Sequence, residues 1–572
     1  MKRLLAILLA LCLLPGCSAK DASIEATLPA TVPETVPVES GTLQADSVTQ
    51  VNLSDSGVTA DGINRQAVYT SNDIIYYEDK EAYESGNPYG EGENYEKHSA
   101  DEAAAHTVVN ITAPGTYRVS GKLSKGQIRV DLGENAYNDP GAVVELVLDN
   151  ADITCTVAPA VLFLNVYECD GEWSVDSASP DVDTSAAGAN LVLEGMNTVS
   201  GSHVAKIFKD QNEEKKLWKQ DGAIYSYMSM NVSGSGKLDL TADNEGLDTE
   251  LHLTINGGDI AIRSDNDGIN TNEDGVSVTT INGGNIHIIA GLGEEGDGID
   301  SNGYLVINGG IVVSAANPAA DAGMDSDLGS YIHGGTVIAL GSAMDWAESD
   351  SKQVTMNLQF AESQSADAAV VVTATDGTIL FAYDPGSDEV LAQNKRIYSG
   401  AVISCGNFKV GETYHVYVGG QLTGSETGGI FDPATVTSFV NSTQMAYTGT
   451  DVMRGPGGMQ GMMDGTRPGM PKDMPDAAPP EGFGGERPEG MVHPRNTPPA
   501  IPAELPEGWQ TIELPEGMVV PGNGPDGFSF EEIELPEGFT FDITFTTAPL
   551  GESSTEFYMQ DQVNFFSGLT QA

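Results

Sequence analysis

The segment SDNDGINTNEDG, residues 264–275, places three aspartates and one glutamate around a single isoleucine. Thirty residues later EEGDGIDSNG, residues 294–303, nearly repeats it. Related turns occur as EGLDTE (245–250), DGINTN (267–272), DGIDSN (297–302) and AGMDSD (322–327), with a weaker form DGAIYS at 221–226. In each of the four full turns, glycine is followed by an apolar residue, then Asp or Asn, then Thr or Ser. The weaker form departs from this order. The chain is therefore built from an internal repeat.

A second motif marks the other end of each repeat. Ile-Asn-Gly-Gly occurs at 255–258, 281–284 and 307–310, and Ile-His-Gly-Gly at 332–335, so successive units are 26, 26 and 25 residues apart. A period of about 25 residues with no helical periodicity is typical of one coil of a solenoid. We predict an all-β fold, a right-handed parallel β-helix, in which Leu253, Ile255, Ile260 and Ile262 point inward and Asn-Gly bends the chain between faces.

The charge balance restricts the partners of the protein. The chain has 83 Asp and Glu against 26 Lys and Arg, a formal net charge of -57. Nucleic acids and anionic lipid surfaces are therefore poor partners. Divalent cations are good ones, because they relieve repulsion between carboxylates.

The repeat predicts where such cations would bind. If coils stack in register, Asp248, Asn270, Asp300 and Asp325 form a ladder with a spacing of about 4.8 Å. A parallel row holds Glu245, Asp267 and Asp297, supplemented by Asp243, Asp265 and Glu295. Calcium accepts six to eight oxygen ligands in loose geometry, so we predict calcium as the cofactor. The predicted ligands are Asp243, Asp248, Asp265, Asp267, Asn270, Glu295, Asp297, Asp300 and Asp325. The alternative is a metal-free ladder whose side chains cap backbone N–H groups.

The N-terminus predicts export. Lys2 and Arg3 precede a short apolar run that ends in Leu-Pro-Gly-Cys at residues 14–17. This ending resembles the bacterial lipobox, so Cys17 is the predicted lipidation site and a lipid anchor is the only predicted membrane contact. The predicted location is the extracellular face of the cell membrane; a secreted protein cleaved elsewhere is the alternative. Cys155 and Cys169 either pair or, like Cys405, remain buried thiols.

The DGI(D/N) turns interleaved with INGG, behind a lipoprotein signal and before a Gly/Met-rich tail, resemble a family of bacterial carbohydrate-binding surface lipoproteins. The similarity covers about residues 130–420. The resemblance implies a β-helix like that of pectate lyases, calcium within the helix, and binding of cellulosic or pectic plant polysaccharide without cleavage.

Sugar binding requires aromatic rings that stack on pyranose faces. The predicted carbohydrate-binding residues are Tyr225, Tyr304, Tyr331 and Trp346. Two other classes of function stay open. A calcium-dependent polysaccharide lyase or hydrolase would need a base, for which Arg263 is a candidate unless it forms a salt bridge with the acidic turns. A structural adhesin or scaffold would bind another protein.

The predicted organisation has six parts. They are a signal peptide at 1–17, a flexible tether at 18–65, a β-helix carbohydrate-binding domain at 66–350, a β-rich cap at 351–450, a Gly/Met/Pro-rich disordered segment at 451–525 and a β-like tail at 526–572.

Overall fold

The computed structural model describes residues 48–77, 97–171, 173–208, 218–348, 350–365, 368–387, 397–410 and 412–440, together with strand segments at 89–90, 443–444, 509–512, 533–536, 548–549, 555–559 and 566–570. Within these residues the helices are one α-helix, Ala100–Ala104, and two 3-10 turns, Arg65–Ala67 and Ala136–Asn138. The all-β prediction is confirmed. None of the described helices has the length and apolar character needed to cross a membrane. The predicted signal peptide and Cys17 lie outside the described residues.

Most strands lie in three parallel stacks through which the chain passes in turn. The first stack begins at Val48–Leu53, which also pairs antiparallel with Thr59–Asp61. Its further strands are Gly115–Leu123, Val144–Thr154, Ala189–Glu194, Met230–Gly234, Leu253–Ile255, Val278–Ile281, Tyr304–Ile307 and Gly329–Ile332.

The second stack shares the long strand Val144–Thr154 with the first stack. This strand turns a corner, and its last residues, 152–154, pair with Met196–Gly201 of the second stack. Asn150, at that corner, has a φ of 57°. The stack continues as Met196–Gly201, Lys237–Ala242, Asp259–Ser264, Asn285–Ile289, Ile311–Ala315 and Thr336–Gly341. Tyr398–Ser404 and Thr355–Gln364 then extend it in antiparallel fashion.

The third stack contains the acidic turns. Its parallel strands are Thr107–Ile111, Gly126–Asp131, Val161–Asn165, Gly222–Ser226, Glu245–Thr249, Ile269–Thr271, Ile299–Ser301 and Asp325–Ser326, and Val68–Ser71 pairs antiparallel at one edge. Each repeat therefore contributes one short strand to each of the three stacks.

Apolar residues from all three stacks form one core. Leu253, Ile255, Ile260 and Ile262, the residues predicted to point inward, are each 0% exposed. Ile269 of the third stack is equally buried in the same cluster. Burial of an aliphatic side chain stabilises a fold by about 1.5–3 kcal/mol, so this core is the main source of stability.

In the Asn-Gly-Gly corners, glycine and asparagine have separate structural roles. The second glycine has positive φ in every copy: 112° at Gly258, 94° at Gly284, 87° at Gly310 and 88° at Gly335. The preceding asparagines are exposed and hydrogen-bonded in series, Asn282 Nδ2 donating to Asn256 Oδ1 at 2.8 Å and Asn308 Nδ2 to Asn282 Oδ1 at 2.9 Å. The repeated tetrad thus supplies a left-handed corner and an amide ladder.

A second glycine column lies in the acidic turns. A Cβ on Gly246 would be 2.5 Å from the carbonyl oxygen of Gly268, and one on Gly268 would be 2.6 Å from that of Gly298. A Cβ on Gly298 would also overlap Ser314 Oγ of the second stack. Only glycine lets neighbouring turns approach this closely.

The remaining strands form smaller sheets. An antiparallel sheet holds Val370–Ala374, Ile379–Tyr383, Thr413–Val418, Glu426–Thr427, Ile430–Phe431, Thr443–Gln444, Ala548–Pro549, Thr555–Met559 and Phe566–Thr570. Gln421–Thr423 pairs with Ser438–Val440, Trp509–Ile512 with Ile533–Pro536, and Tyr89–Gly90 and Trp218–Gln220 both with Val204–Phe208. Strands therefore occur in the β-rich cap and in the β-like tail; most of residues 451–525 lie outside the described residues.

Three expectations about the chain need adjustment. The tether prediction is wrong from residue 48 onward, because Val48–Leu53 pairs in parallel with Gly115–Leu123 and its Val51 is fully buried. The predicted cap at 351–450 is joined to the repeats by strand pairing, because its strand Tyr398–Ser404 pairs with Thr336–Gly341 of the second stack. Cys155, Cys169 and Cys405 are all free thiols, so the pairing alternative is wrong.

The glycine column yields a stability prediction. Gly298→Ala forces a methyl group against Ser314 and the next turn, so we expect a loss of about 2 kcal/mol or more in the free energy of unfolding. Gly406→Ala is the matched control, because Gly406 is exposed and its nearest contact would be 3.9 Å away. Denaturant unfolding of both variants measures the difference. Equal stability of the two would contradict the close approach of the turns.

Candidate functional site

The acidic turns lie in direct register in the third stack. Asp248 pairs with Asn270, Asn270 with Asp300, and Asp300 with Asp325. Asp248 is 0% exposed, Asn270 5% and Asp300 6%. This is the order of residues that the repeat predicts. Buried carboxylates at this spacing repel one another strongly, so the surroundings must offset their charge.

The first group of acids surrounds Lys219. Lys219 Nζ lies 2.8 Å from Asp221 Oδ2 and donates to Asn272 Oδ1 at 2.5 Å. Asn270 Nδ2 donates to Glu245 Oε1 at 3.0 Å, and Asn272 Nδ2 to Asp248 Oδ1 at 2.6 Å. The strand that carries Lys219, Trp218–Gln220, lies outside the repeated turns.

This group leaves buried oxygens without donors. Glu245 Oε2 and Asp248 Oδ2 accept no hydrogen bond from any group that the structure describes, and neither does Asn270 Oδ1. Burial raises the pKa of Asp248 well above its usual range; the neighbouring Glu245 adds to this and Lys219 opposes it. Burial likewise raises the pKa of Glu245, again against Lys219. The two carboxyl groups therefore need a shared proton or a cation.

The second group contains three carboxylates in mutual reach. One oxygen from each of Asp297, Asp300 and Asp325 lies within 4.8 Å of the others. Burial raises the pKa of nearby Asp267 well above its usual range, with further contributions from Asp300 and Asp297. Carboxylate oxygens gathered in this way are the ligand type that calcium prefers.

The metal-free alternative has support in the same group. Asp267 Oδ1 accepts the Asp297 N–H at 2.6 Å, and Asp297 Oδ1 accepts the Ala322 N–H at 2.7 Å. One oxygen of each aspartate thus caps the backbone of the next coil. These bonds hold adjacent turns together whether or not a cation is bound.

The remaining predicted ligands lie apart from this trio. Asp243 Oδ2 accepts from Ser202 Oγ at 2.6 Å, and its Oδ1 lies 2.9 Å from His203 Nδ1. Asp265 and Glu295 are exposed. Asp345, whose Oδ2 accepts from Ser326 Oγ at 3.1 Å, lies outside the repeated turn, so the repeat does not predict it. Burial raises its pKa to about 8, with a further contribution from Asp325.

Two predicted aromatic residues share a face of the first stack. The Tyr304 and Tyr331 ring centroids are 6.2 Å apart at an interplanar angle of 50°, and Tyr331 lies 6.0 Å from the His333 ring. Val306, in register with Tyr331, is only 4% exposed, while both tyrosines remain partly exposed. We call Tyr304, Tyr331 and His333, with the exposed ladder of Asn256, Asn282 and Asn308, the tyrosine face.

The other two predicted sugar contacts lie elsewhere. Tyr225 is 0% exposed, its hydroxyl donates to Glu250, and its ring packs edge-on against Tyr227 at 5.1 Å. The prediction that Tyr225 stacks on a sugar is therefore wrong, because its ring has no open face. Trp346 packs against the main core instead of joining the tyrosine face.

Arg263 is engaged in the second stack. Its guanidinium donates to Asp239 and its side chain is 20% exposed. The salt bridge considered for Arg263 is thus present, but its partner is Asp239 and not an aspartate of the acidic turns.

A family model described as carbohydrate-binding domain-containing protein matches residues 105–414, more than half of the chain. A relative with the same description from Acetivibrio thermocellus is 30% identical over 157 residues, which are 27% of this chain and 45% of that protein. The chain thus spans less than half the length of that relative. A solved structure titled as a polysaccharide lyase-like protein from C. thermocellum, gadolinium derivative, is 22% identical, covers 50% of this chain and 92% of its own, and has a TM-score of 0.30.

The acidic turns yield a pH prediction. Burial, followed by Glu250 and Asp274, raises the pKa of Glu273 to about 7 from 4.5. The native state then binds more protons than the unfolded state between these pH values, so Glu273 lowers stability as pH rises through that window. We expect Glu273→Gln to raise the melting temperature at pH 8 and to leave it unchanged at pH 4. Thermal unfolding at both pH values checks this.

Glu294→Gln is the control for that experiment, because Glu294 is an exposed glutamate of the adjacent coil. A gain in stability at pH 8 for Glu294→Gln as large as that for Glu273→Gln would show a general effect of net charge.

Proposed function

The chain belongs to the family of carbohydrate-binding domain-containing proteins, and from this we propose that it binds cellulosic or pectic plant polysaccharide at its surface without cleaving it. The observation that carries this proposal is the tyrosine face, where two partly exposed rings lie beside a row of exposed amides. Aromatic rings pack against the apolar faces of pyranose rings, and amides hydrogen-bond to sugar hydroxyl groups.

The distribution of acids supports binding over catalysis. The acidic turns repeat on successive coils with the same register. A hydrolase or lyase needs one asymmetric arrangement of acid, base and substrate. Arg263, the candidate base, is bound to Asp239. The repeated acids therefore fit a stabilising role better than a catalytic one.

We propose that calcium stabilises the coils. Asp297, Asp300 and Asp325 supply the support, since their oxygens lie within 4.8 Å of one another. The unpartnered oxygens of Glu245 and Asp248 support a second position for a cation. A bound ion would offset the repulsion that burial imposes on these carboxylates.

We also propose how the chain winds and where the protein is located. The three stacks, entered in turn by each repeat, support winding as a right-handed parallel β-helix. The lipobox-like ending at Cys17 supports a lipid anchor at the extracellular face of the membrane.

The tyrosine face yields a binding prediction. Tyr331→Ala removes one ring, and we expect retention on insoluble cellulose or pectate to weaken about 2- to 12-fold, the factor for an aromatic contact of about 0.5–1.5 kcal/mol. Tyr69→Ala is the control, because Tyr69 is 52% exposed and lies in the third stack. A pull-down with the full chain measures both. Equal loss from the two variants would contradict binding at this face.

The same pull-down separates the classes of function. Retention that a chelator abolishes, with no unsaturated uronate or reducing sugar in the supernatant, supports calcium-dependent binding. Release of product identifies an enzyme. Failure of the wild-type chain to bind any glycan, with or without calcium, favours the adhesin or scaffold alternative.

Calcium stabilisation is tested by melting. Saturation at 100 times the dissociation constant stabilises a protein by about 2.7 kcal/mol, so calcium should raise the melting temperature of the wild type. Asp300→Asn removes one carboxylate of the trio. We expect this variant to melt higher than wild type in chelator, because repulsion is relieved, and to gain less from calcium. Glu294→Gln should behave like the wild type; an undiminished calcium response of Asp300→Asn argues against this site.

A further inference from the structure

A polar cavity of about 240 Å³ lies between the segment 169–183 and the first stack. Its volume is below the roughly 300–1,000 Å³ of pockets for drug-sized ligands, so it is suited to a small ligand. Its walls come from two regions that are far apart in the chain. The lining includes Cys169, Asp170, Ser179, Asp181, Asp183 and His252.

A fixed histidine forms part of the wall. His252 is 1% exposed, and its Nδ1 accepts the backbone N–H of Val278 at 3.1 Å. The proton of the neutral ring is therefore on Nε2, which donates to Asp170 Oδ2 at 3.2 Å. This bond orients the Asp170 carboxylate at the edge of the cavity and joins segment 169–183 to the first stack.

The other polar side chains of the lining are serine hydroxyl groups and carboxylates. Ser179 Oγ accepts the Asp181 N–H at 3.2 Å, and Asp183 Oδ1 accepts the Ser185 N–H at 2.9 Å. Asp181 and Asp183 are exposed residues of this loop and line the cavity together with Asp170. Among the lining residues that the structure describes, none is Lys or Arg. The cavity thus offers three carboxylates and no positive side chain.

We propose that this cavity holds one neutral sugar unit of the bound polysaccharide and excludes uronate. Sugar hydroxyl groups donate to carboxylates in strong, charge-assisted hydrogen bonds. A uronate carboxylate would instead meet three like charges. The inference rests on the proposed carbohydrate binding and narrows its ligand to the neutral, cellulosic class.

Two competing uses of the cavity fit less well. The three aspartates that line it are not among the carboxylates that meet within 4.8 Å in the described part of the chain, so the geometry does not favour a cation. Burial raises the pKa of the Cys169 thiol to about 12, with a further contribution from Glu168. The thiol therefore stays protonated and is not a nucleophile.

The cavity adjoins the tyrosine face. Burial and Lys352 lower the pKa of His333, whereas the charges of Asp350 and Asp181 oppose that shift. Asp181 is thus within electrostatic range of His333, which itself packs beside Tyr331. A glycan lying on the tyrosine face could place one sugar unit in the cavity.

Calorimetric titration of the full chain with cellotetraose and with tetragalacturonate, without added divalent cations, tests the specificity. We expect wild type to bind cellotetraose at least about tenfold more tightly. Asp181→Asn/Asp183→Asn should weaken binding of cellotetraose about tenfold and reduce the preference over tetragalacturonate. Asp176→Asn, an exposed aspartate of the same loop outside the lining, should match the wild type.

The outcomes separate the cavity from the wider proposal. If Tyr331→Ala weakens cellotetraose binding while the double variant binds both ligands as the wild type does, the cavity inference is overturned and carbohydrate binding stands. Tighter binding of tetragalacturonate than of cellotetraose by the wild type also overturns it. Failure of the wild type to bind any glycan, both in this titration and in a repeat with calcium, overturns both.

A second readout does not depend on variants. Cys169 lines the cavity and is partly exposed, whereas Cys155 and Cys405 are buried. Cellotetraose at saturation should slow hydroxyl-radical labelling of Cys169, which does not need a thiolate and is measured by mass spectrometry, and tetragalacturonate at the same concentration should not. Unchanged labelling with bound cellotetraose would place the sugar outside the cavity.

Discussion

The parallel register between successive coils is the constraint on which the rest of the structure depends. Because equivalent residues of neighbouring repeats lie directly opposite one another, every property of one turn is multiplied along the stack. Apolar residues such as Ile269 and Ile299 benefit, since each buries the next. Asparagines benefit too, because an amide both donates and accepts, as the ladder through Asn282 shows. Glycines permit the close approach that the register requires.

Carboxylates are the residues for which this register is costly. The chain offsets the cost in several ways: Asn270 interrupts the row of aspartates, Lys219 approaches from outside the repeat, and Asp267 and Asp297 accept backbone N–H groups of the next coil. Glu245 and Asp248 keep buried oxygens without donors in the described structure. These buried oxygens without donors are the physical basis for proposing a bound cation.

The acidic turns and the proposed sugar-binding surface lie on different stacks. The third stack holds the carboxylate groups, whereas the first stack presents Tyr304 and Tyr331 and adjoins the cavity at His252. This arrangement lets one row of residues stabilise the coils while another remains accessible to ligand. It also explains why acidic repeats in such a chain need not indicate catalysis.

The sequence by itself determined the all-β class, the pairing order of the acidic turns and the inward residues, because a short repeat encodes burial and backbone conformation locally. Tertiary structure alone decided what covers the repeat. Tyr225 is buried against Glu250, Lys219 reaches Asn272, and segment 169–183 lines a cavity together with His252. These contacts join non-repeating segments to distant coils, and no local period specifies which coil such a segment will meet.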